Sequence, residues 1–223
     1  MRANVFKPAL VIGMMALAML ACNFVTSRLG AKSDSALMQD DFSRSTSGWG
    51  TGSDAESSVE YVNGGLHMQI FKPNYFTWSN PAHQAYQDVH MEVTVRNIGA
   101  DKGAGFGLMC NQQVPDTSYY YFAVTSEGAY VIGKSATAHD DVFLTNNDAW
   151  ATSDLIAKRA PSYRIAADCG HGNLTLYVNG RKIDSVSDAS YANGGVGLFL
   201  WSGDNPSGEV TYDDFVMTAL GGR

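Results

Sequence analysis

Alternation of apolar and polar residues is the feature that most limits what this chain can fold into. Val89–Arg96 alternates without a fault, and Leu66, Met68 and Ile70 repeat the same period of two. Strict alternation is typical of an antiparallel strand with one face in a core and the other in water. No window keeps a helical period for more than two turns. We therefore expect an all-β fold.

Two Asn-Gly pairs, Asn63-Gly64 and Asn179-Gly180, predict tight hairpin turns. Asn-Gly accepts a positive φ at both central positions, which suits the turn whose twist matches the flanking strands. Further strands are expected at Tyr119–Val124, Ala129–Gly133, Gly195–Trp201 and Glu209–Met217. Turn residues separate these segments at short intervals, which predicts an antiparallel two-sheet β-sandwich, a jelly roll.

Four segments, in chain order, carry a resemblance to a known superfamily. They are Asp40-Asp41-Phe42 with Gly48-Trp49, then Leu174–Gly180, Gly194–Phe199 and Val210–Val216. These segments resemble the concanavalin A-like lectin/glucanase jelly rolls, and the nearest group is the laminin-G-like branch labelled 3-keto-disaccharide hydrolase-like. The resemblance implies one jelly-roll domain over residues 40–220. It is specific for fold and weak for function, because the matched residues are turn glycines and core positions.

The N-terminus has the features of a secretory signal. Two positive charges precede the apolar run Ala9–Ala21, which is too short to span a bilayer as a helix. Met19-Leu20-Ala21-Cys22 resembles the lipobox of bacterial lipoproteins, in which the peptidase cuts before the cysteine and its thiol carries a diacylglyceryl group. We therefore predict a signal peptide at residues 1–21 and lipidation at Cys22. The alternative is an ordinary secretory signal, or a membrane anchor, with a coincidental cysteine.

Lipidation would tether the chain to a bilayer in the bacterial cell envelope, facing the extracytoplasmic side. Residues 22–39 contain few large apolar groups and no alternation, so we expect a flexible tether there. The chain has 15 Lys and Arg against 22 Asp and Glu, and Arg2 and Lys7 lie within the predicted signal. Negative charge repels phosphate backbones, which argues against a nucleic-acid partner. Membrane association would depend on the lipid and not on a basic patch.

With Cys22 assigned to lipid, Cys110 and Cys169 remain. An even pair of cysteines in an exported chain indicates a disulfide. Each of the two also ends an apolar alternation in phase with its neighbours, so their side chains are expected on the same kind of face. The alternative is a pair of buried free thiols.

No acidic cluster of the glucanase type occurs in the sequence. Retaining glucanases of this superfamily place carboxylates on alternate residues of one strand, whereas Asp140-Asp141 and Asp213-Asp214 are adjacent and would point to opposite faces. We therefore predict a domain that binds carbohydrate, or another cell-surface ligand, without catalysis. Two alternatives stay open: a glycoside hydrolase of the 3-keto-disaccharide hydrolase type, and a structural envelope lipoprotein that makes protein contacts.

Exposed aromatic rings with polar neighbours are the candidate binding residues, because rings stack on sugar faces and polar side chains hold hydroxyls. Trp150 and Trp201 are flanked by polar loop residues and are predicted to be exposed. Their predicted polar partners are Asn147, Asp148, Asp204 and Asn205. Trp78 and the run Tyr119–Tyr121 are further candidates, although in-phase members of that run are expected in the core.

A structural calcium ion is a further possibility. Four acids occur in terminal segments that lie side by side in this superfamily, several members of which bind Ca²⁺ there: Asp40, Asp41, Asp213 and Asp214. Calcium takes six to eight oxygen ligands, which carboxylates and carbonyls could supply. The alternative is that these acids are solvated residues at strand ends.

Overall fold

The computed structural model describes residues 36–81, 84–114, 118–205 and 207–221. The strands of these ranges form two antiparallel β-sheets. The same ranges contain no helix, and so no helix that could cross a membrane. The predicted β-sandwich is confirmed. The predicted signal peptide and Cys22 lie outside the described residues.

Sixteen strands follow one another along the described chain. They are β1 (Ala36–Asp40), β2 (Gly52–Ser53), β3 (Ser57–Val62), β4 (Gly65–Ile70), β5 (Phe76–Ser79), β6 (Val89–Asn97), β7 (Gly105–Gln112), β8 (Tyr119–Val124), β9 (Ala129–Ser135), β10 (Val142–Phe143), β11 (Ala151–Thr152), β12 (Tyr163–Gly170), β13 (Asn173–Val178), β14 (Arg181–Ser187), β15 (Gly195–Trp201) and β16 (Glu209–Ala219). A nine-stranded sheet has the order β14-β13-β12-β6-β16-β4-β3-β2, with β1 also paired to β16. A seven-stranded sheet has the order β10-β9-β8-β7-β15-β5, with β11 also paired to β9.

Both predicted hairpins form at the Asn-Gly pairs. Asn63 and Gly64 have φ values of 52° and 77°, and Asn179 and Gly180 have 51° and 75°. Positive φ at both central positions is the conformation that the hairpin twist requires. The turns fix the register of β3 with β4 and of β13 with β14.

The core lies between the two sheets and is filled by alternate residues of their strands. In β6, for example, Val89, Met91, Val93 and Val95 are all buried. Phe42 and Trp49 belong to this core and pack against each other, with ring centroids 5.4 Å apart. Both rings are buried.

The domain begins earlier than the sequence predicted. Residues 22–39 were expected to form the tether, but Ala36–Gln39 belong to β1, which pairs with β16. Backbone hydrogen bonding to the long strand β16 orders this segment, and Met38 packs against the core. The expected proximity of the two terminal segments is confirmed, since Asp40 pairs with Phe215.

Covalent and polar links hold the two sheets together. The predicted disulfide between Cys110 in β7 and Cys169 in β12 is formed, with the Cα atoms 6.6 Å apart. The buried hydroxyl of Tyr212 in β16 accepts a hydrogen bond from the Gly107 N–H at 3.0 Å and donates one to the Phe199 carbonyl. These links fix how the seven-stranded sheet lies on its partner.

A charged link lies beside the disulfide. Asp188, which follows β14, accepts hydrogen bonds from the Tyr120 hydroxyl and from the Lys134 ammonium, at 2.5 and 2.7 Å. Although burial opposes ionisation, the bonds from Lys134, Ser190 and Tyr120 hold the pKa of Asp188 well below its usual range. The segment after β14 is thereby fastened to β8 and β9.

Loss of the disulfide should destabilise the domain without changing its fold. The bridge spans 59 residues of sequence, and closing a loop of that size contributes about 4 kcal/mol in the chain-entropy model. We expect the double variant Cys110→Ser, Cys169→Ser to have a Tm roughly 10 °C lower in calorimetry. Reductant should lower the wild-type Tm similarly and leave the variant unchanged. Two freely alkylated thiols in the native, unreduced protein would contradict this result.

Candidate functional site: an aromatic face on the seven-stranded sheet

The seven-stranded sheet is apolar on both faces. In β8, Tyr120 and Phe122 point into the core between the sheets, whereas Tyr121 and Ala123 belong to a second apolar cluster. Met109 of β7, Val131 of β9 and Phe199 of β15 complete the buried part of that cluster. An antiparallel sheet with a solvated outer face would carry polar residues there. This outer face is instead covered by further side chains.

Eight aromatic rings make up this outer surface, here named the aromatic face. Its members are Phe76, Trp78, Tyr119, Tyr121, Phe143, Trp150, Phe199 and Trp201. Phe199 is fully buried beneath Phe76, whose ring stacks on it at 5.1 Å. Tyr121 crosses Gly133 of β9, where a Cβ atom would overlap the ring, so only glycine fits.

The structure brings Trp150 and Trp201 together. Their ring centroids are 5.9 Å apart, and Phe143 lies 6.4 Å from each. Trp201 ends β15, and Trp150 directly precedes β11 and lies over Gly105, which has no side chain to obstruct it. Both tryptophans were predicted to be exposed. In the structure they are half-buried, because their rings pack against each other.

The predicted polar partners take part in loop structure. Asp148 accepts a hydrogen bond from the Phe143 N–H at 2.8 Å and so holds the loop that carries Trp150. Asp204 accepts one from the Asn74 side chain at 3.3 Å, and Asn205 accepts one from the Ser207 N–H at 3.1 Å. Asn147 is exposed on the same loop as Asp148. Binding roles for these four residues stay predictions.

Trp78 is the most accessible ring of the face, with 47% of its surface exposed. Together with Phe76 and Tyr119 it borders a pocket of about 170 Å³, here named the aromatic pocket. Met109, Gln112 and Ser135 complete its lining. Burial raises the pKa of Tyr119 to about 12, so the phenol keeps its proton even in moderately alkaline solution and can donate a hydrogen bond.

Sequence reasoning did not single out Phe76, Phe143 or Gln112. A signal was present for Phe76, because Phe76-Thr77-Trp78 alternates as a strand does and β5 places both rings on the outer face. Phe143 lies in the two-residue strand β10, which is too short to give a periodic signal. Only the three-dimensional structure brings Gln112 to the aromatic pocket.

The sheet beneath the aromatic face is almost free of charge. Its seven described strands contain no Asp or Glu, and their only charged residue is Lys134. Lys134 lies two residues after Ile132 on β9, so it is on the side of the sheet that faces the core and not on the aromatic face. The Lys134 ammonium binds Asp188 there. The face therefore offers rings, hydroxyls and amides, with no strand-borne carboxylate.

The outer face of the nine-stranded sheet has a different chemistry. The His90 ring lies between Asp168 and Glu92, with nitrogen to oxygen distances of 2.5 and 2.8 Å. Arg164 also donates to Glu92, at 3.0 Å. Although burial opposes ionisation, His90 and Arg164 hold the pKa of Glu92 below its usual value. These charged groups satisfy one another across neighbouring strands, which stabilises a solvated sheet face.

The structure does not bring the four predicted calcium ligands together. Asp40 accepts a hydrogen bond from the Phe42 N–H at 2.8 Å, Asp41 accepts one from the Ser43 hydroxyl at 2.6 Å, and Asp213 pairs with Arg96 at 3.6 Å. In the part of the chain that the structure describes, no group of three or more His, Cys, Asp or Glu could hold a metal ion. Asp40, Asp41 and Asp213 stabilise local turns and an ion pair, Asp214 is exposed, and the four acids do not converge.

No protein-family model matches this chain, and no curated protein matches it. Solved structures do match. The carbohydrate binding module CBM66 from Bacillus subtilis has a TM-score of 0.60 and 12% identity over 78% of this chain and 96% of its own. A protein of unknown function with a galectin-like fold from Bacillus subtilis has a TM-score of 0.62 and 12% identity over 82% of this chain and 96% of its own.

A glycoside hydrolase family 16 endo-glucanase from Bacteroides ovatus has a TM-score of 0.57 and 16% identity, over 81% of this chain and 99% of its own. Identities this low show the fold alone. The fold is a galectin-like, concanavalin A-like jelly roll, and the resemblance found in the sequence is confirmed at that level.

The two layers of the aromatic face should respond differently to truncation. Phe199→Ala removes a fully buried ring, so we expect a loss of about 3–5 kcal/mol in the free energy of unfolding. Trp78→Ala removes a ring that is half exposed, and we expect a loss below about 1 kcal/mol. Urea denaturation monitored by circular dichroism measures both. Equal destabilisation by the two variants would show that Trp78 is a core residue.

Proposed function

We propose that this protein binds a glycan through the aromatic face and does not cleave it. The observation that carries the proposal is a set of accessible rings on a sheet whose described strands contain no carboxylate. Stacking on a sugar would bury apolar surface that Trp78 now exposes to water. The hydroxyls of Tyr119 and Ser135 and the amide of Gln112 supply hydrogen bonds around the same pocket.

Absence of catalysis is supported by the chemistry of the face. Most glycoside hydrolases need two carboxylates on opposite sides of the scissile bond, about 5–10 Å apart. The described strands beneath the aromatic face supply none. Of the two loop carboxylates that act on Tyr121, Asp141 and Asp148, the second is held by the Phe143 N–H. Similar structures include both a carbohydrate binding module and an endo-glucanase, so fold does not decide between binding and cleavage. The side chains of the site therefore carry the argument.

We also propose that the domain is held at the extracytoplasmic side of a bacterial membrane by lipid on Cys22. The signal-like N-terminus and the lipobox-like Met19-Leu20-Ala21-Cys22 support this location. A disulfide between Cys110 and Cys169 also suits an oxidising compartment.

Glycan binding should depend on the exposed rings. We expect Trp78→Ala and Trp150→Ala each to weaken binding about fivefold, since one stacked ring contributes about 1 kcal/mol. The measurement is a glycan array with the purified protein, followed by calorimetric titration of the best ligand. Phe71→Ala is the matched control, because Phe71 is 46% exposed and follows β4 in the other sheet.

Two results would contradict this proposal. Release of free sugar during long incubation with the bound glycan would show that the protein is a glycoside hydrolase. Unchanged affinity in both tryptophan variants would place the binding site away from the aromatic face.

Lipidation has its own test. Cys22→Ser removes the thiol that would carry the diacylglyceryl group, so we expect the variant to leave the membrane fraction or to stay unprocessed. Fractionation and mass spectrometry of the N-terminus measure this. An unlipidated mature N-terminus at another residue of the wild-type protein would refute the proposal, while the glycan-binding proposal would stand.

A further inference from the structure

A second cavity, of about 250 Å³, lies beside the aromatic pocket. Amide side chains dominate its polar lining, and we name it the amide cleft: Asn80, Gln84, Gln112, Gln113 and Asn193. Gln112 lines both cavities. The two cavities therefore meet at this residue, which ends β7.

Gln112 differs from Gln113 and Asn80 in its hydrogen bonding. Gln113 donates to the carbonyls of Asn111 and Asn193, both at 2.7 Å, and Asn80 donates to the Val196 carbonyl at 2.8 Å. Those two side chains are committed to the walls of the cleft. The half-buried Gln112 amide has no hydrogen bond to a described residue. It keeps two N–H donors and a carbonyl acceptor for a ligand, which suits adjacent hydroxyl groups.

The charges around the aromatic face favour an uncharged ligand. Lys134, the only charged residue in the described strands of this sheet, is neutralised by Asp188. Exposed Asp140, Asp141 and Asp148 occur in the segment that carries Phe143 and Trp150. Asp141 is close enough to add to the effect of burial in raising the pKa of Tyr121. An anionic sugar would be repelled by these carboxylates and would meet no unpaired cation from the described strands of this sheet.

The extent of the surface favours a chain of sugars. Strand β15 runs from Gly195, which pairs with Gln112, to Trp201, which pairs with Gly105 beneath Trp150. Six residue-to-residue steps along the strand separate those ends, or roughly 20 Å at about 3.3 Å per step. A single sugar ring would occupy only part of this distance.

We infer that the ligand is a neutral oligosaccharide of several units that lies along β15, with one unit in the aromatic pocket and the next in the amide cleft. Gln112 hydrogen-bonds both units at the junction and is a specificity-determining residue. This inference rests on the proposed glycan binding and adds to it the charge, the length and the placement of the ligand.

Calorimetric titration of the purified protein tests the inference. The probes are neutral gluco-, galacto-, manno- and fructo-oligosaccharides of one to six units, and matched oligosaccharides that contain uronic acids. We expect affinity to rise at least tenfold between one unit and a chain that fills both cavities, and anionic chains to bind at least tenfold more weakly. Gln112→Ala should reduce the gain in affinity with oligosaccharide length at least fivefold and should leave the Tm unchanged. Gln39→Ala, an exposed glutamine on β1, is the control.

The outcomes separate this inference from the proposed function. If affinity is independent of length, or anionic chains bind best, or Gln112→Ala has no effect, while Trp78→Ala still weakens binding, the inference fails and glycan binding on the aromatic face stands. If none of the neutral or anionic probes binds, both are overturned.

Discussion

Strands β8 and β15 consist of aromatic and aliphatic residues and two glycines, and this composition is the constraint on which the rest of the structure depends. Such strands have to be buried on both faces. The nine-stranded sheet covers one face, and the disulfide and the Tyr212 hydroxyl hold it there. Among the described residues, the other face is covered mainly by aromatic rings, and the outermost of these remain accessible. The same requirement for burial thus stabilises the sheet and creates the surface proposed to bind a ligand.

Local chemistry explains how much of the fold could be predicted from the sequence. Asn-Gly turns and strict alternation depend on neighbouring residues alone, so both hairpins and the strand β6 could be identified. The start of the domain could not, because β1 is ordered by pairing with β16, which is distant in sequence. The arrangement of the four predicted calcium ligands could not be predicted for a similar reason. The prediction that the two terminal segments lie close together was correct. Asp40 and Asp41, however, accept hydrogen bonds within their own turns.

The binding surface could be predicted only in part. Trp150 and Trp201 were identified from their polar neighbours, yet their contact depends on the sheet order that brings β9 and β15 to the same surface. Phe143 carries no sequence signal because it lies in a two-residue strand. Gln112 carries none because only the folded structure places it between the two cavities. Residue type indicated the chemistry, and long-range pairing determined which residues share the site.

The four tryptophans allow a direct measurement of where a ligand binds. Trp78, Trp150 and Trp201 belong to the aromatic face, whereas Trp49 is buried in the core between the sheets. Nitrogen-15 NMR resolves their indole N–H signals during titration with a neutral oligosaccharide. Binding on the aromatic face predicts shifts in the signals of the three face tryptophans and a constant Trp49 signal. Saturable binding that leaves those three signals unmoved would contradict the account.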